Sequence, residues 1–367
     1  MKIFQCQCCG QILYFENATC LNCGNTLGYL PDENRMVAVV ADGPLWHVLP
    51  GPDGAVEDAP RRFCKNWERS ACNWMTPADA SSVPQPAPYC LACQHNRTVP
   101  DLSTPTHVTL WKKTEAAKRR LIYTLLQLNL PRPVPDSGHP QPLVFDFLAD
   151  DPGSMARVLT GHSDGVVTIA LTEADDAARE SRRNQMGEAY RTLLGHFRHE
   201  VGHYYWDILV RDGNALAPFR ALFGDERADY AAAMTRHYET GPPTGWQDHF
   251  VSGYATMHPW EDWAETWAHY LHMIDTLETA ASLGVRVEST ATREGAAFKA
   301  RVDFEPYPNQ SAATLIATWV PLTLALNSLN RSMGQNDLYP FALPPEVQAK
   351  LTFVHDLVSG QSATTAR

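Results

Sequence analysis

All nine cysteines of this 367-residue chain lie before residue 94, and their spacing limits what the first quarter can fold into. Cys6-x-x-Cys9-Gly10 and Cys20-x-x-Cys23-Gly24 are two C-x-x-C-G knuckles with ten residues between them. Such a knuckle bends a short loop until two thiolates face one metal ion, and two knuckles complete a tetrahedral site. The intervening QILYF reads as a hairpin strand, so residues 1–30 are expected to form a zinc ribbon on Cys6, Cys9, Cys20 and Cys23. Cys8 falls outside the spacing and reads as a bystander. Disulfides would be the other use of paired cysteines, but the opening MKIFQCQCCG has no apolar leader. The expected compartment is therefore reducing, soluble and cytoplasmic.

Cys64, Cys72, Cys90 and Cys93 form a second set in which only the last two have knuckle spacing. Between them lies a segment, 77–88, with four prolines, too irregular to pack a core without a staple. A second four-cysteine zinc is expected to hold residues 31–105 together. Both sites read as structural. Four thiolates leave no open coordination position, and the metal supplies folding energy that such short segments cannot obtain from burial.

The next feature is of a different kind. Residues 193–210, LLGHFRHEVGHYYWDILV, read as a helix carrying His199-Glu200-Val201-Gly202-His203. Positions i and i+4 share a helix face, so both imidazoles can aim at one metal ion. Glu200 follows the first of them and can take the proton of a metal-bound water. That pattern points to a zinc-dependent peptidase. Ahead of it, VVTIAL at 166–171 reads as a β-branched strand, where such enzymes place a substrate-aligning edge strand.

A two-histidine site needs a third ligand. Trp206 and Leu209 stand where an H-E-x-x-H-x-x-G-x-x-H pattern would have Gly and His, so a carboxylate must supply it. A helix starting in 225–230 and running to 238 offers Asp225 and Glu226. A second, opened by His258-Pro259, carries Glu261, Glu265 and His269 on one face and Trp263 with Trp267 on another. The tryptophans read as core.

Elsewhere the chain is less specific. Residues 111–128 read as a helix whose basic residues, Lys112, Lys113, Lys118, Arg119 and Arg120, suggest a solvated face. Residues 131–135 break the chain, 143–148 resume as a buried strand, and 312–329 and 345–358 read as helices. The apolar run at 312–326 is short for a bilayer span and contains Pro321, so no membrane association is expected. The formal charge is −11, and residues 1–105 hold seven Lys and Arg against ten Asp and Glu. That is the wrong sign for a phosphate-binding footprint, so no nucleic-acid partner is expected and the zinc modules are read as docking a protein or substrate.

H-E-x-x-H followed after 58 residues by Glu261-Asp262-Trp263-Ala264-Glu265 resembles the gluzincin-type peptidases related to anthrax lethal factor. The resemblance implies that Glu261 is the third zinc ligand, leaving Glu265 beside it or as the alternative, and that Tyr254, seven residues before Glu261, assists catalysis. With the knuckles, NRTVPDL at 96–102 and RHEVGHYYW at 198–206, the whole chain resembles bacterial zinc metallopeptidases that begin with a zinc ribbon. The expected fold is α+β: two cysteine-zinc modules (1–30 and 31–105), a zincin core (106–275) and a helical C-terminal lobe (276–367). The expected cofactors are three zinc ions, one catalytic and two structural, and the expected substrate is a peptide or protein. The competing reading is a non-catalytic adaptor whose zinc sites are all structural.

Overall fold

The computed structural model describes residues 1–52, 54, 59–70, 72–78, 88–151, 153, 155–186, 188–289, 298–307 and 310–360. The proline-rich segment singled out above lies, at 79–87, outside the described residues. The fold is mixed α and β, with a cysteine-rich N-terminal part and a largely helical remainder. Two compact units are distinguished: Met1–Tyr123, Arg132–Thr160 and Gly165–Ala178 in the first; Thr124–Pro131, Gly161–Asp164 and Arg179–Arg367 in the second.

In the first unit, β1 (Phe4–Gln5) and β2 (Ile12–Leu13) form the expected short hairpin across the first knuckle. The strands β3 (Thr26–Leu30), β4 (Arg35–Asp42), β5 (Leu45–Val48), β6 (Arg61–Phe63) and β7 (Met75–Pro77) make an antiparallel sheet in chain order, with the four-residue helix α1 (Trp67–Ser70) before the last strand. Leu30, Val37, Val39, Val48, Phe63 and Met75 are its buried core. Gly28 is required there: a Cβ would stand 2.2 Å from the Met75 sulfur. The strand β8 (Asn96–Thr98) and the long helix α2 (Pro105–Gln127) follow. Next come β9 (Val144–Leu148), β10 (Gly161–Ser163, in the second unit) and β11 (Val166–Ala170). Both β8 and β11 pair in parallel with β9, whose apolar run VFDFL suits a strand buried on both faces.

One expectation about α2 is overturned. Lys112, Lys113 and Arg120 are exposed, but Lys118 and Arg119 are buried, with Lys118 fully inaccessible. Lys118 Nζ donates to Glu115 Oε1 at 2.9 Å and to Asn96 Oδ1. Glu115 in turn has Oε2 3.5 Å from the Cys93 sulfur. The helix turns these cations inward because sulfurs and a carboxylate lie on that side. Burial alone would lower the Lys118 pKa, and Glu115 together with Cys93 raises it instead.

The second unit is helical: α3 (Asp176–Gln185), which starts at the boundary, α4 (Leu193–Tyr205), α5 (Leu216–Phe223), α6 (Tyr230–Thr240), α7 (Pro259–Ser282), α8 (Ala312–Ser332) and α9 (Pro345–Val358), with a small antiparallel pair, β12 (Arg286–Glu288) and β13 (Lys299–Arg301). The helix expected to start in 225–230 begins at Tyr230, where the Asp229 side chain caps it by accepting from Ala232 N–H, so Asp225 and Glu226 precede it. Trp263 and Trp267 are fully buried, and α7 packs against α4, α5, α8 and α9. The apolar run near 312 extends into a 21-residue helix, long and apolar enough by itself to cross a membrane, so the length argument made from the sequence fails. Half of its apolar window is buried, with Leu315, Ile316, Trp319 and Leu322 inside.

Candidate metal centre

The helix α4 begins where Thr192 Oγ1 accepts from Gly195 N–H at 3.0 Å, and this sets the register of the motif. One turn apart, the rings of His199 and His203 have centroids 5.0 Å apart and stand nearly perpendicular. On the facing helix, His258 caps the first turn through Nδ1 and Pro259 occupies the first helical position. Gly202 lets the two helices meet: a Cβ there would come 3.1 Å from Ala264 Cα. Trp263 Nε1 then donates to the Gly202 carbonyl at 2.8 Å. This close crossing brings the carboxylates of α7 up to the imidazoles of α4.

Glu261 Oε2 lies 2.9 Å from His199 Nε2, and Glu261 Oε1 lies 3.5 Å from His203 Nε2. Donor atoms held tetrahedrally at about 2.0–2.1 Å from zinc are about 3.3 Å apart; the Glu261 carboxylate meets each imidazole near that spacing, and the three side chains could hold one metal ion. Glu265 is not in that set. Its Oε1 is 2.7 Å from Nδ1 of His199, the nitrogen facing away from the metal position, and its Oε2 accepts from Ser252 Oγ at 2.6 Å. With Nε2 turned to a metal, Nδ1 carries the hydrogen, and Glu265 fixes that tautomer. Burial would raise the Glu265 pKa, but its bond to His199 outweighs this and holds it at about 2. Asp225 and Glu226 are engaged elsewhere, with Arg227 and Arg220 respectively.

Glu200 is only 8 % exposed and makes no ion pair among the described residues. Burial raises its pKa, while the imidazoles of His199 and His203 oppose the rise. A carboxylate of raised basicity beside two histidines is suited to accept a proton. Tyr254 stands in a short 3-10 turn (Tyr254–Thr256) with its ring 5.9 Å from that of His199. Burial raises its pKa, so it stays a hydrogen-bond donor.

Sulfur separations test the cysteine sets in the same way. Cys6 to Cys23 is 3.8 Å and Cys9 to Cys20 is 3.6 Å; Cys72 to Cys90 is 3.7 Å and Cys72 to Cys93 is 3.9 Å. Four sulfurs at about 2.3 Å from a tetrahedral zinc lie about 3.8 Å from one another, whereas a disulfide needs about 2.05 Å. Each cluster gathers the four cysteines grouped by spacing, and none forms a disulfide. Cys64 joins the second set despite its irregular spacing, and its sulfur accepts from Asn66 and Cys90 N–H. Cys8 is exposed and outside both.

Three neighbours of the centre escaped the sequence reading. The Tyr230 phenol donates to Glu261 Oε1 at 2.8 Å. Ser252 supports Glu265, and the ring of His162 on β10 lies nearly parallel to that of His203 at 6.3 Å. None sits at a motif offset.

A family described as "Putative zinc-binding metallo-peptidase" matches residues 107–357, and a zinc-ribbon domain matches residues 3–104. Uncharacterized proteins of Mycobacterium tuberculosis and Mycobacterium bovis are 42% identical to this chain over 359 residues, covering 98% of it and 95% of their own length. No solved structure matches the chain.

Proposed function

From the premise that the chain belongs to the zinc-binding metallopeptidase family, behind an N-terminal zinc ribbon, we propose that it is a gluzincin-type zincin that hydrolyses peptide bonds. The observation that carries this reading is one cluster of donor atoms, from His199, His203 and Glu261, with the unpaired carboxylate of Glu200 buried beside it. Zinc bound there would supply Lewis acidity to a water and to the scissile carbonyl. Glu200 removes the water's proton and passes it to the departing amine. Tyr254 donates a hydrogen bond to the carbonyl oxygen as it gains charge. Glu265 keeps His199 in the tautomer that leaves Nε2 free for the metal. Three protein donors leave a tetrahedral ion one open position, whereas the two cysteine clusters leave none. Three zinc ions per chain follow, two structural and one exchangeable.

The test is a cleavage profile on a proteome-derived peptide mixture, wild type against Glu200→Gln, with zinc counted in both. Three zinc in each protein, with peptide cleavage by the wild type alone, is the expected result. Equal cleavage by the variant removes Glu200 as general base. No cleavage by either protein, with three zinc present, leaves the adaptor reading in its place.

A further inference from the structure

Beside the centre, within the same unit, a cavity of about 380 Å³ opens between α6 and the turn that follows it. Its walls include Arg236, His237, Thr240, Pro242, Pro243 and Met257. It adjoins the catalytic residues. The His237 ring is 5.7 Å from the Tyr254 ring, which is 5.9 Å from His199, and Thr256 of the same turn also lines the cavity. The cavity thus lies two ring spacings from a metal donor. An extended chain advances about 3.3–3.6 Å per residue, so a bound peptide would reach it roughly two to three residues from the scissile bond.

Its electrostatics are one-sided. No carboxylate lines it, and burial lowers the His237 pKa, leaving that ring neutral near pH 7. Arg236 is the one charged lining residue, and its guanidinium makes no ion pair or hydrogen bond to any described residue. Another cavity of the unit, about 430 Å³, contrasts with it: there Arg183 and Arg331 are already paired with Glu180 and Asp337. In a chain of charge −11, an exposed arginine that lines a cavity with no carboxylate beside it is open to an anionic group from outside the chain. The backbone of the wall is conformationally restricted. Gly241 holds φ +70° with an extended ψ, a conformation closed to other residues, and Pro242 and Pro243 follow it.

We propose that this cavity is the subsite for an acidic side chain, Asp or Glu, of the peptide substrate, and that Arg236 selects it. The inference rests on the peptidase reading above and adds the substrate class to it. An Asp or Glu residue entering the cavity would accept two hydrogen bonds from the guanidinium. Because Arg236 is exposed, solvent screens the pair and sets its worth at the low end for a charged hydrogen bond, about tenfold in selectivity.

The experiment has a cleavage arm and a binding arm. In the first, products from a proteome-derived peptide library are sequenced by mass spectrometry for wild type, Arg236→Ala and Arg236→Glu, each with zinc content and melting temperature confirmed. The expected result is Asp and Glu enriched about tenfold within three positions of the cut by wild type, no enrichment by Arg236→Ala, and a turn toward Lys and Arg by Arg236→Glu. Cleavage without acidic enrichment, or enrichment indifferent to both substitutions, overturns the subsite. In the second arm, binding of fluorescent acidic, neutral and basic peptide mixtures to zinc-loaded Glu200→Gln is compared with binding to the same protein carrying Arg236→Ala. If no library peptide is cut, the peptidase reading fails by itself. A preference for the acidic mixture that Arg236→Ala abolishes would still uphold the cavity, and equal binding would overturn it.

Discussion

Replacing Glu265 separates a residue that holds the metal from one that holds a ligand. Its carboxylate is bonded at 2.7 Å to Nδ1 of His199 and at 2.6 Å to the Ser252 hydroxyl, while the metal-facing Nε2 belongs to Glu261. Glu265→Ala leaves His199 Nδ1 with no acceptor and its ring free to rotate. One buried hydrogen bond to a charged group is worth about 1.5–3 kcal/mol, which corresponds to a loss of roughly 10–100-fold in zinc affinity. Glu265→Gln should cost less. Its amide oxygen still accepts from Nδ1 and its NH2 can donate to Ser252, so only the charge is lost. Glu261→Ala, by contrast, removes a donor atom and should abolish binding at this centre. Affinity is read by competition with a fluorescent chelator, with the cysteine sites still loaded, and the melting temperature of the chelated protein separates lost affinity from lost folding. Wild-type affinity in Glu265→Ala would refute the supporting role. Weak binding in Glu261→Ala together with none in Glu265→Ala would exchange the two.

Lys118→Met leaves the inaccessible Glu115 without its closest cation and should cost about 3–5 kcal/mol in denaturant unfolding, with Lys118→Met/Glu115→Gln recovering part. Gly202→Ala pushes a methyl against Ala264 Cα at 3.1 Å and should cost about 1–3 kcal/mol; an unchanged melting temperature would refute the close crossing. Buried His269 has its pKa lowered to about 4, so its neutral form stabilises the fold above the ordinary value of about 6.5, and that stability is lost as pH falls through this window. The loss, about 3 kcal/mol between pH 6.5 and 4, should shrink in His269→Gln, and an unaltered pH slope would refute it.

The candidate metal-binding groups were legible because coordination imposes spacing on the chain itself. Cysteines three apart in a knuckle, histidines four apart on a helix and a carboxylate opening a second helix each leave a local signature, and the structure gathers all eleven donors into three clusters. Their surroundings were not legible, because packing selects them over long separations. Tyr230 reaches Glu261 from 31 residues away, and nothing in DERADY marks it as a neighbour of the centre. Lys118 and Arg119 failed for a related reason. Charge in a helix usually means solvent, but here a partner 22 residues earlier, Asn96, and the cysteine cluster draw the cations inside. The resemblance implied Glu261 as the third ligand and kept Glu265 as the alternative; in the structure Glu261 meets Nε2 of His199 and Glu265 meets Nδ1.

The two helices of the centre also show why its ligand set depends on packing as much as on motif. The residue between the motif's Glu200 and His203 that allows the crossing is Gly202. On the other side stand Ala264, whose Cα would be 3.1 Å from a Gly202 Cβ, and the Trp267 ring at the same distance. Trp263 donates to the Gly202 carbonyl, and Tyr205 stacks on Trp267 at 4.9 Å one turn further along. The helix separation that lets Glu261 reach both imidazoles is therefore set by fully buried aromatic contacts. Because the aromatic side chains flanking them are buried, the histidines lose little ordering entropy on binding a metal ion. The cysteine clusters follow the opposite logic. They join the two-residue strands β1 and β2 and the segments around Cys64 and Cys90, which have little regular backbone pairing of their own. Chelation should accordingly unfold the N-terminal modules while leaving α4 and α7 packed, and circular dichroism at 222 nm would change little as thiols become titratable. Loss of most helical signal along with the cysteine-bound zinc would contradict this division.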